Sequence, residues 1–240
     1  MKSYFESLLE ILYPEKNTCF FCGTYDEEIQ DRYICADCEK NVRRIVPPVC
    51  LRCSKPVEPD SPAGLCTDCR LSSWNFEMCR SPFCYEGLIK KGIYMFKYHN
   101  KPYFYKFFGK SLAGYMKSIC YTDFDLIVPV PLHRSKMRKR GFNQSKLVAS
   151  YISRDFSIPM AEVLRRIRKT PKQSEMSREE RRANMEDAFS LKNEKMADLL
   201  KEKTVLLVDD VFTTGSTADE CSKVLKQGGA DKVYVITIAR

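Results

Sequence analysis

Long apolar runs in the second half of the chain predict the strands of a buried sheet. Residues 203–210 (KTVLLVDD) and 232–239 (KVYVITIA) have the continuous apolar character of strands that are covered on both faces. Residues 125–131 (DLIVPVP) form a shorter run that two prolines end abruptly. Residues 76–85 and 162–167 are weaker candidates, so the pattern predicts at least three buried strands.

Between these runs, apolar residues recur at helical spacing. Helices are predicted over 86–98, 102–120, 141–156 and 217–227, and from Ser177 onward, where Ser177 and Glu180 form a capping box. Strands that alternate with helices predict an α/β fold with a parallel sheet and right-handed crossovers. Ligands of such sheets bind at the carboxyl ends of the strands, where Asp209-Asp210 and Pro129–Pro131 lie in this sequence.

The first seventy residues have few apolar residues and a regular set of cysteines. Eight of the twelve cysteines of the chain form four C-x-x-C pairs, separated by 12, 11 and 12 residues: Cys19/Cys22, Cys35/Cys38, Cys50/Cys53 and Cys66/Cys69. Two such pairs supply the four thiolates of a closed structural zinc site. We therefore predict one or two structural zinc ions and two domains, an N-terminal helix with a double zinc ribbon over 1–75 and an α/β domain over 76–240.

The cysteine spacing leaves the pairing open. Sequential pairing is the simplest scheme because Pro47-Pro48 separates the first two pairs from the last two, but a crossed arrangement fits the same spacing. A thioredoxin-like redox role is disfavoured because the pairs lack a βαβ context. Cys79, Cys84, Cys120 and Cys221 lack ligand spacing and are interpreted as small buried or incidental residues.

The N-terminal segment is predicted to be an amphipathic helix that packs on the rest of the chain, with Phe5, Leu8, Leu9 and Leu12 on one face. Glu6 and Glu10 interrupt its apolar residues, so a signal peptide is not predicted. No stretch approaches the roughly 20 apolar residues of a membrane span. We expect a cytoplasmic protein without stable membrane insertion.

Positive charge is concentrated in the middle of the chain. Residues 133–182 contain 15 Lys/Arg and 5 Asp/Glu, and this local excess accounts for the whole formal charge of +9. Such a segment predicts a polyanionic ligand, either a small phosphorylated molecule or a nucleic-acid backbone. A solvated basic face is the alternative for residues 134–141.

The stretch VLLVDDVFTTGST combines carboxylates with a loop of hydroxyls. Gly215 permits positive φ or close backbone approach, and the helix predicted to follow directs free N–H groups toward the same point. The carboxylates of Asp209 and Asp210 would repel a phosphate, so they suit sugar hydroxyls or a divalent cation. A sugar phosphate suits both parts of the stretch, because its hydroxyls match the carboxylates and its phosphate matches the loop. The alternative is an ordinary helix cap by Ser216 or Thr217, with the aspartates complementing the helix dipole.

This stretch resembles the phosphoribosyl-pyrophosphate (PRPP) motif of type I phosphoribosyltransferases. Together with FKYHNK, VPVPLHRSKMRKRGFNQS and GGADKVYVITIAR, it makes the chain similar to the ComF family over nearly its whole length. The resemblance implies a type I phosphoribosyltransferase-like sheet flanked by helices, behind a zinc-ribbon module. It also implies binding of PRPP with Mg²⁺ and an association with natural competence, the uptake of single-stranded DNA by bacteria.

The resemblance assigns roles to individual residues. It implies that Asp209 and Asp210 bind the ribose hydroxyls and that the turn at 130–134 lies at the pyrophosphate, near Mg²⁺. A flexible closing loop is implied at Arg168, Lys169 and Gln173. The implied PRPP-binding residues are Asp209, Asp210, Val211, Thr213, Thr214, Gly215, Ser216, Thr217, Val130, Pro131, His133 and Arg134, with Asp209, Asp210 and Arg134 as the catalytic candidates.

Two functional hypotheses follow. The first is a Mg²⁺-dependent phosphoribosyltransferase with an unassigned acceptor, in nucleotide or amine metabolism and without a role in DNA uptake. The second is a PRPP-binding protein that handles internalised single-stranded DNA, with a competence helicase as a partner and a position at the inner face of the cell membrane. Its candidate nucleic-acid contacts are Lys136, Arg138, Lys139 and Arg140, supported by the aromatic stretch 94–108, for which core packing is the alternative.

Overall fold

The computed structural model describes residues 17–168 and 187–240. The predicted N-terminal helix with Phe5 and Leu8, the loop positions Lys169 and Gln173, and the helix predicted from Ser177 lie outside the described residues. Within the described part, the strands are β1 (Cys79–Arg80), β2 (Leu126–Pro129), β3 (Leu164–Arg166), β4 (Phe189–Leu191), β5 (Thr204–Val211) and β6 (Lys232–Ala239).

Four of these strands form the central sheet in the order β1-β6-β5-β2, and every neighbouring pair is parallel. The register places Leu207 opposite both Val128 and Val235, so β5 lies between β2 and β6. Strands β3 and β4 form a separate antiparallel pair. The predicted α/β fold with a parallel sheet is confirmed, and the carboxyl ends of β2 and β5 meet at one edge.

Helices surround the sheet and account for most predicted helical segments. Their bounds are α1 (Ala36–Lys40), α2 (Thr67–Arg70), α3 (Gly87–Tyr98), α4 (Phe104–Ser118), α5 (Arg134–Arg140), α6 (Gln144–Phe156), α7 (Lys195–Leu200) and α8 (Ser216–Gln227). Two short 3₁₀ turns occur at Gln30–Arg32 and Pro62–Gly64 in the ribbon.

Both faces of the sheet are covered, which explains the continuous apolar runs. Along β5, Leu206 and Val208 face one hydrophobic cluster, while Val205 and Leu207 face another. The first cluster contains the buried rings and aliphatic residues of α3, α4 and α6, and the second contains the inner face of α8. Alternate residues of each central strand are therefore buried on opposite sides.

The zinc-ribbon region packs directly on the α/β region. Phe20 and Phe21 of the first half contact Phe104, with ring centroids 5.8 and 5.2 Å apart. In the second half, the Arg240 guanidinium donates to the Cys53 carbonyl at 2.6 Å, and the Cys79 backbone N–H donates to the Arg52 carbonyl at 2.7 Å. The ribbon therefore contributes to both hydrophobic clusters, while the domain boundary at residue 75 stays a prediction.

Some elements differ from the expectations. The strand predicted within 76–85 is only two residues long, Cys79 and Arg80, and a single further bridge joins Phe83 to Ala239 of β6. Helix α5 consists of basic residues without apolar periodicity, and β4 and α7 are short, so none of the three was predicted. Among the described residues, no helix combines the length and apolar character that crossing a membrane requires.

Candidate functional site

The two aspartates lie at the carboxyl end of β5, partly buried among polar side chains of other elements. The Ser145 hydroxyl, in the first turn of α6, donates to Asp209 Oδ1 at 3.2 Å. Lys97, near the end of α3, places its Nζ 2.7 Å from Asp210 Oδ1. Both side chains of this ion pair are about 15% exposed, at 16% and 15%. The pair joins α3 to β5, 113 residues apart in sequence.

The two carboxylates differ in their surroundings. Burial raises the pKa of Asp209 to about 7, and the neighbouring Asp210 carboxylate adds to the increase. The backbone N–H of Asp210 donates to Asp209 Oδ1 at 2.8 Å, and this hydrogen bond opposes the increase in the pKa of Asp209. Burial alone would lower the pKa of Lys97, but the Asp210 carboxylate outweighs it, so this pKa lies above its ordinary value. Lys97 is therefore a stable cation, and Asp209 can exchange its proton near neutral pH.

The loop that follows β5 contains a glycine in the left-handed region immediately before α8. Gly215 has φ +85°, and a Cβ there would lie 2.7 Å from the Phe212 ring and 2.8 Å from the Trp74 ring. Glycine is thus required both by the conformation and by the close packing behind the loop. Phe212 is buried and contacts Phe76 at 5.9 Å between ring centroids, so its side chain points into the fold as expected.

The capping by Ser216 or Thr217 that the helix-cap alternative predicted is wrong. Helix α8 begins at Ser216, its N-cap residue is Gly215, and no side chain of the described residues caps it. Ser216 and Thr214 instead face each other, with hydroxyl oxygens 3.0 Å apart. Asp219, in the first turn, accepts from the backbone N–H of Asn75 at 2.7 Å, which fixes the start of α8 to the segment after the ribbon. The first N–H groups of α8 are therefore free of any side-chain cap.

The turn after β2 lies beside the carboxylates because β2 and β5 are neighbours. Val130 donates its N–H to the Val208 carbonyl at 2.9 Å, and its own carbonyl accepts from the Asn143 amide at 3.0 Å. His133 is the N-cap of α5, where its Nδ1 accepts from the Ser135 N–H at 3.2 Å. His133 thus has a structural role in the turn.

The GFNQS segment, residues 141–145, contacts both α3 and the turn after β2. Gly141 ends α5 with φ +77°, and Phe142 stacks on Phe96 with centroids 5.7 Å apart. Asn143 caps α6 through its bond with the Ser145 N–H while it holds the turn after β2. Gln144, fully buried, donates to the Phe96 carbonyl at 3.3 Å and accepts from Arg140 at 3.0 Å. The segment therefore connects α3, the turn after β2 and the carboxylates.

Cations surround the carboxylates on the side of α5 and β3. Burial, together with the positive charges of Arg166 and Arg140, lowers the pKa of Lys136 to about 8. Burial also lowers the pKa of Arg166, whose guanidinium lies 5.3 Å from the Phe189 ring centroid. An anion bound among these groups would restore the pKa of Lys136. Lys136 is therefore partly buried close to Arg166 and Arg140, whereas Arg138 and Lys139 are exposed.

A cavity of about 470 Å³ opens between the turn after β2 and strand β3. Pro131, His133 and Arg134 line one side, and Arg165 and Arg166 line another. A second, much smaller cavity lies behind the hydroxyl loop and is lined by Asp209, Val211, Thr213, Gly215 and Thr217. Arg168 follows β3 and is exposed, at the start of the segment interpreted as a closing loop.

The cysteines form two separate clusters with sequential pairing. In each cluster the four sulfurs lie within 4.8 Å of one another: Cys19, Cys22, Cys35 and Cys38, then Cys50, Cys53, Cys66 and Cys69. The Cys22 and Cys35 sulfurs are 3.7 Å apart, as are those of Cys53 and Cys66. A tetrahedral site with Zn–S bonds of about 2.3 Å has an S···S edge of about 3.8 Å. The sulfur-only donor sets therefore fit two structural zinc ions.

Comparisons with known proteins agree with this two-part organisation. A family model described as a double zinc ribbon domain matches residues 8–71, and one described as a phosphoribosyl transferase domain matches residues 143–240. Competence protein ComFC of Bacillus subtilis is 25% identical over 217 residues, which cover 88% of this chain and 85% of that protein. The chain is therefore similar to a ComFC protein over most of its length, and the two family models match its two parts separately.

Other relatives align with about half of this chain. Competence protein F of Haemophilus influenzae is 39% identical over 120 residues, and DNA utilization protein YhgH of Escherichia coli is 36% identical over 117 residues. Each alignment covers 48% of this chain and spans about half the length of the relative, 50% and 49%. A solved structure of the allosteric regulatory enzyme of purine biosynthesis aligns with 54% of this chain and 25% of its own at 20% identity, with a TM-score of 0.37.

Arg166 of β3 was missed by the sequence reasoning, and so were three residues that position the carboxylates and the turn after β2. Lys97 lies in an amphipathic helix where lysine is ordinary, and Asn143 and Ser145 lie in a motif that was quoted for its resemblance but given no role. Their contacts reach Asp210, Val130 and other positions far along the chain. The one available signal was the concentration of polar residues in FKYHNK and GFNQS, next to apolar helix positions.

Proposed function

We propose that this protein binds PRPP with Mg²⁺ at the carboxyl ends of β2 and β5. Asp209 and Asp210 accept hydrogen bonds from the ribose hydroxyls, and residues 213–217 hold the 5′-phosphate. Residues 130–134 hold the pyrophosphate. The observation that carries the proposal is that a carboxylate pair, an uncapped helix start and a cation-lined cavity lie around one edge of the sheet.

The three subsites suit the three parts of the ligand. The 5′-phosphate would meet the first N–H groups of α8, which no side chain caps, and the backbone of Gly215. The pyrophosphate would meet Arg134 and Arg166, which line the large cavity, and the positive charge of Lys136 lies close to Arg166. Arginine donates two parallel hydrogen bonds to phosphate oxygens, which matches this end of the ligand.

The donor set also suits the metal. Mg²⁺ prefers oxygen ligands and is commonly bound through one or two carboxylates together with substrate phosphates. Asp209 and Asp210 present carboxylate oxygens beside the pyrophosphate turn. When bound with PRPP, Mg²⁺ would neutralise charge on the pyrophosphate.

Transfer of the phosphoribosyl group breaks the bond between the ribose C1 and the pyrophosphate. Positive charge develops at C1 and negative charge on the leaving group, so carboxylates at the ribose and cations at the pyrophosphate would both stabilise the transition state. Lys97 holds Asp210 in place, and Ser145 holds Asp209. We assign Asp209, Asp210 and Arg134 as the groups nearest the reacting bond and leave the acceptor open.

Thermal unfolding tests the assignment. PRPP with Mg²⁺ should raise the melting temperature more than ribose 5-phosphate or pyrophosphate alone, because each of these fills only part of the site. Asp209→Asn with Asp210→Asn should abolish the shift. A matched control is Asp123→Asn with Asp231→Asn, which removes two exposed carboxylates at the amino end of the sheet. No shift at millimolar PRPP would reject the ligand assignment.

A second function, binding of single-stranded DNA, is favoured by the exposed cations Arg138 and Lys139 and by relatives named for competence and DNA utilization. Affinity for a single strand should fall steeply with salt, because backbone binding releases counterions. Charge reversal at Arg138 and Lys139 should weaken it. Salt-independent binding would favour the alternative, a phosphoribosyltransferase of nucleotide or amine metabolism without a role in DNA uptake.

A further inference from the structure

Three aromatic rings lie together on the outer surface of α3 and its end. Tyr94 and Tyr98 are 54% and 53% exposed, although most aromatic residues of the same stretch, such as Phe96 and Phe104, are fully buried. The ring centroids of Tyr94 and Tyr98 are 5.0 Å apart, and the His99 ring lies 5.2 Å from Tyr94. We call these three residues the α3 aromatic patch.

Cations without acidic neighbours on the same helices border the patch. The Arg140 guanidinium lies 4.9 Å from the centroid of the Tyr98 ring. Lys90 and Lys91 are exposed one turn before Tyr94, and helical spacing puts them on the same side of α3. Neither α3 nor α5 contains an aspartate or glutamate. The surface therefore combines exposed π-faces with positive charge, which is complementary to a ligand that has both bases and phosphates.

The patch borders the candidate PRPP site. Lys97, next to Tyr98 in the chain, turns inward to Asp210 at 2.7 Å. Arg140 contacts Tyr98 on one side and donates to Gln144 at 3.0 Å on the other. The same short segments therefore present residues to the carboxylates and to the outer surface.

We propose that the α3 aromatic patch is a stacking site for the bases of single-stranded DNA. Bases stack on Tyr94 and Tyr98, and Arg140 with its exposed neighbours Arg138 and Lys139 holds the backbone phosphates. A duplex would offer its phosphates to the same cations but keeps its bases stacked on one another, so it cannot use the rings. This inference rests on the DNA-binding part of the proposed function and gives it a location.

Fluorescence anisotropy with a labelled 20-nucleotide thymidine strand tests the patch. Tyr94→Ala with Tyr98→Ala should weaken binding about 5- to 150-fold for each base that loses its ring. The matched control is Tyr94→Phe with Tyr98→Phe, which keeps both rings and should bind within about twofold of the original protein. Both variants should retain the thermal shift with PRPP, because neither tyrosine lies among the proposed PRPP ligands.

A second measurement requires no substitution. An abasic strand of the same length has the same phosphates without bases, and it should bind the original protein as weakly as the thymidine strand binds the alanine variant. Unchanged affinity in the alanine variant, or equal binding of the abasic strand, would overturn the stacking site. A protein that shows the PRPP shift but binds no strand at low salt would overturn DNA binding as a whole. Strand binding without a PRPP shift would reject only the PRPP assignment.

Discussion

Removal of the Lys97 charge should destabilise the fold more than removal of a similar charge elsewhere. Lys97 and Asp210 are 2.7 Å apart and about 15% exposed, and the pair joins α3 to the end of β5. Lys97→Met keeps the length of the side chain but leaves two adjacent carboxylates without their cation. Loss of one partner of a buried ion pair costs about 3–5 kcal/mol, and the residual exposure places this one near about 3 kcal/mol.

Urea unfolding of the zinc-loaded protein measures this loss. The control is Lys226→Met, which removes the cation from a pair of similar length, Lys226 with Glu77 at 2.9 Å, whose side chains are about a third exposed, 34% and 37%. Pairs of that exposure contribute about 1 kcal/mol or less. The cost of Lys97→Met should also be smaller at pH 5 than at pH 8, because Asp209, whose pKa is about 7, is already protonated at pH 5.

A double variant tests the physical cause. Lys97→Met with Asp210→Asn removes both charges, so it should recover part of the stability that Lys97→Met loses. Equal losses in Lys97→Met and Lys226→Met at pH 8 would refute the reasoning, because the first pair would then contribute no more than a surface pair.

Three further predictions concern the carboxylate, the loop and the ribbon. Asp209→Asn should gain stability relative to the original protein as pH rises from 5 to 8, since a raised folded-state pKa favours the native state at low pH and loses that contribution through pH 7; urea titrations at both pH values check this. Gly215→Ala should lower the melting temperature and abolish the PRPP shift, whereas Gly114→Ala in α4, where a Cβ meets nothing within 4 Å, should be neutral or stabilising by about 1 kcal/mol. Colorimetric assay after thiol modification should release about two zinc ions per chain, and Cys53→Ser should reduce the count; one ion in the original protein would contradict the two clusters.

Strands β2, β5 and β6 could be predicted from sequence because their residues are buried on both faces of the sheet. Residues 204–211 and 232–239 lack the regularly spaced polar residues that a surface helix or a half-exposed strand would need. The prolines at 129 and 131 fix the end of β2. The cysteine pairs were equally informative, since repeated CxxC pairs in a segment with so few apolar residues indicate structural zinc sites. Spacing alone left the pairing open, and the structure decides it as sequential.

The contacts between side chains of the site could not be predicted. Lys97 looks like any lysine of an amphipathic helix, and only the packing of α3 against the sheet brings it to Asp210. Helix α5 has no apolar face, so its formation depends on the His133 cap and on Gly141 rather than on periodicity. The exposure of Tyr94 and Tyr98 was hidden because their helix also contains buried aromatic residues at similar spacing.

Calorimetric titration of PRPP with Mg²⁺ tests the central claim most directly. The original protein and the Asp123→Asn, Asp231→Asn control should show saturable binding of one PRPP per chain. The Asp209→Asn, Asp210→Asn variant should show none while it keeps its zinc and its cooperative unfolding. Equal binding by that variant, or no binding by the original protein at millimolar PRPP, would contradict the assignment of the β5 carboxylates and their loop as the PRPP site.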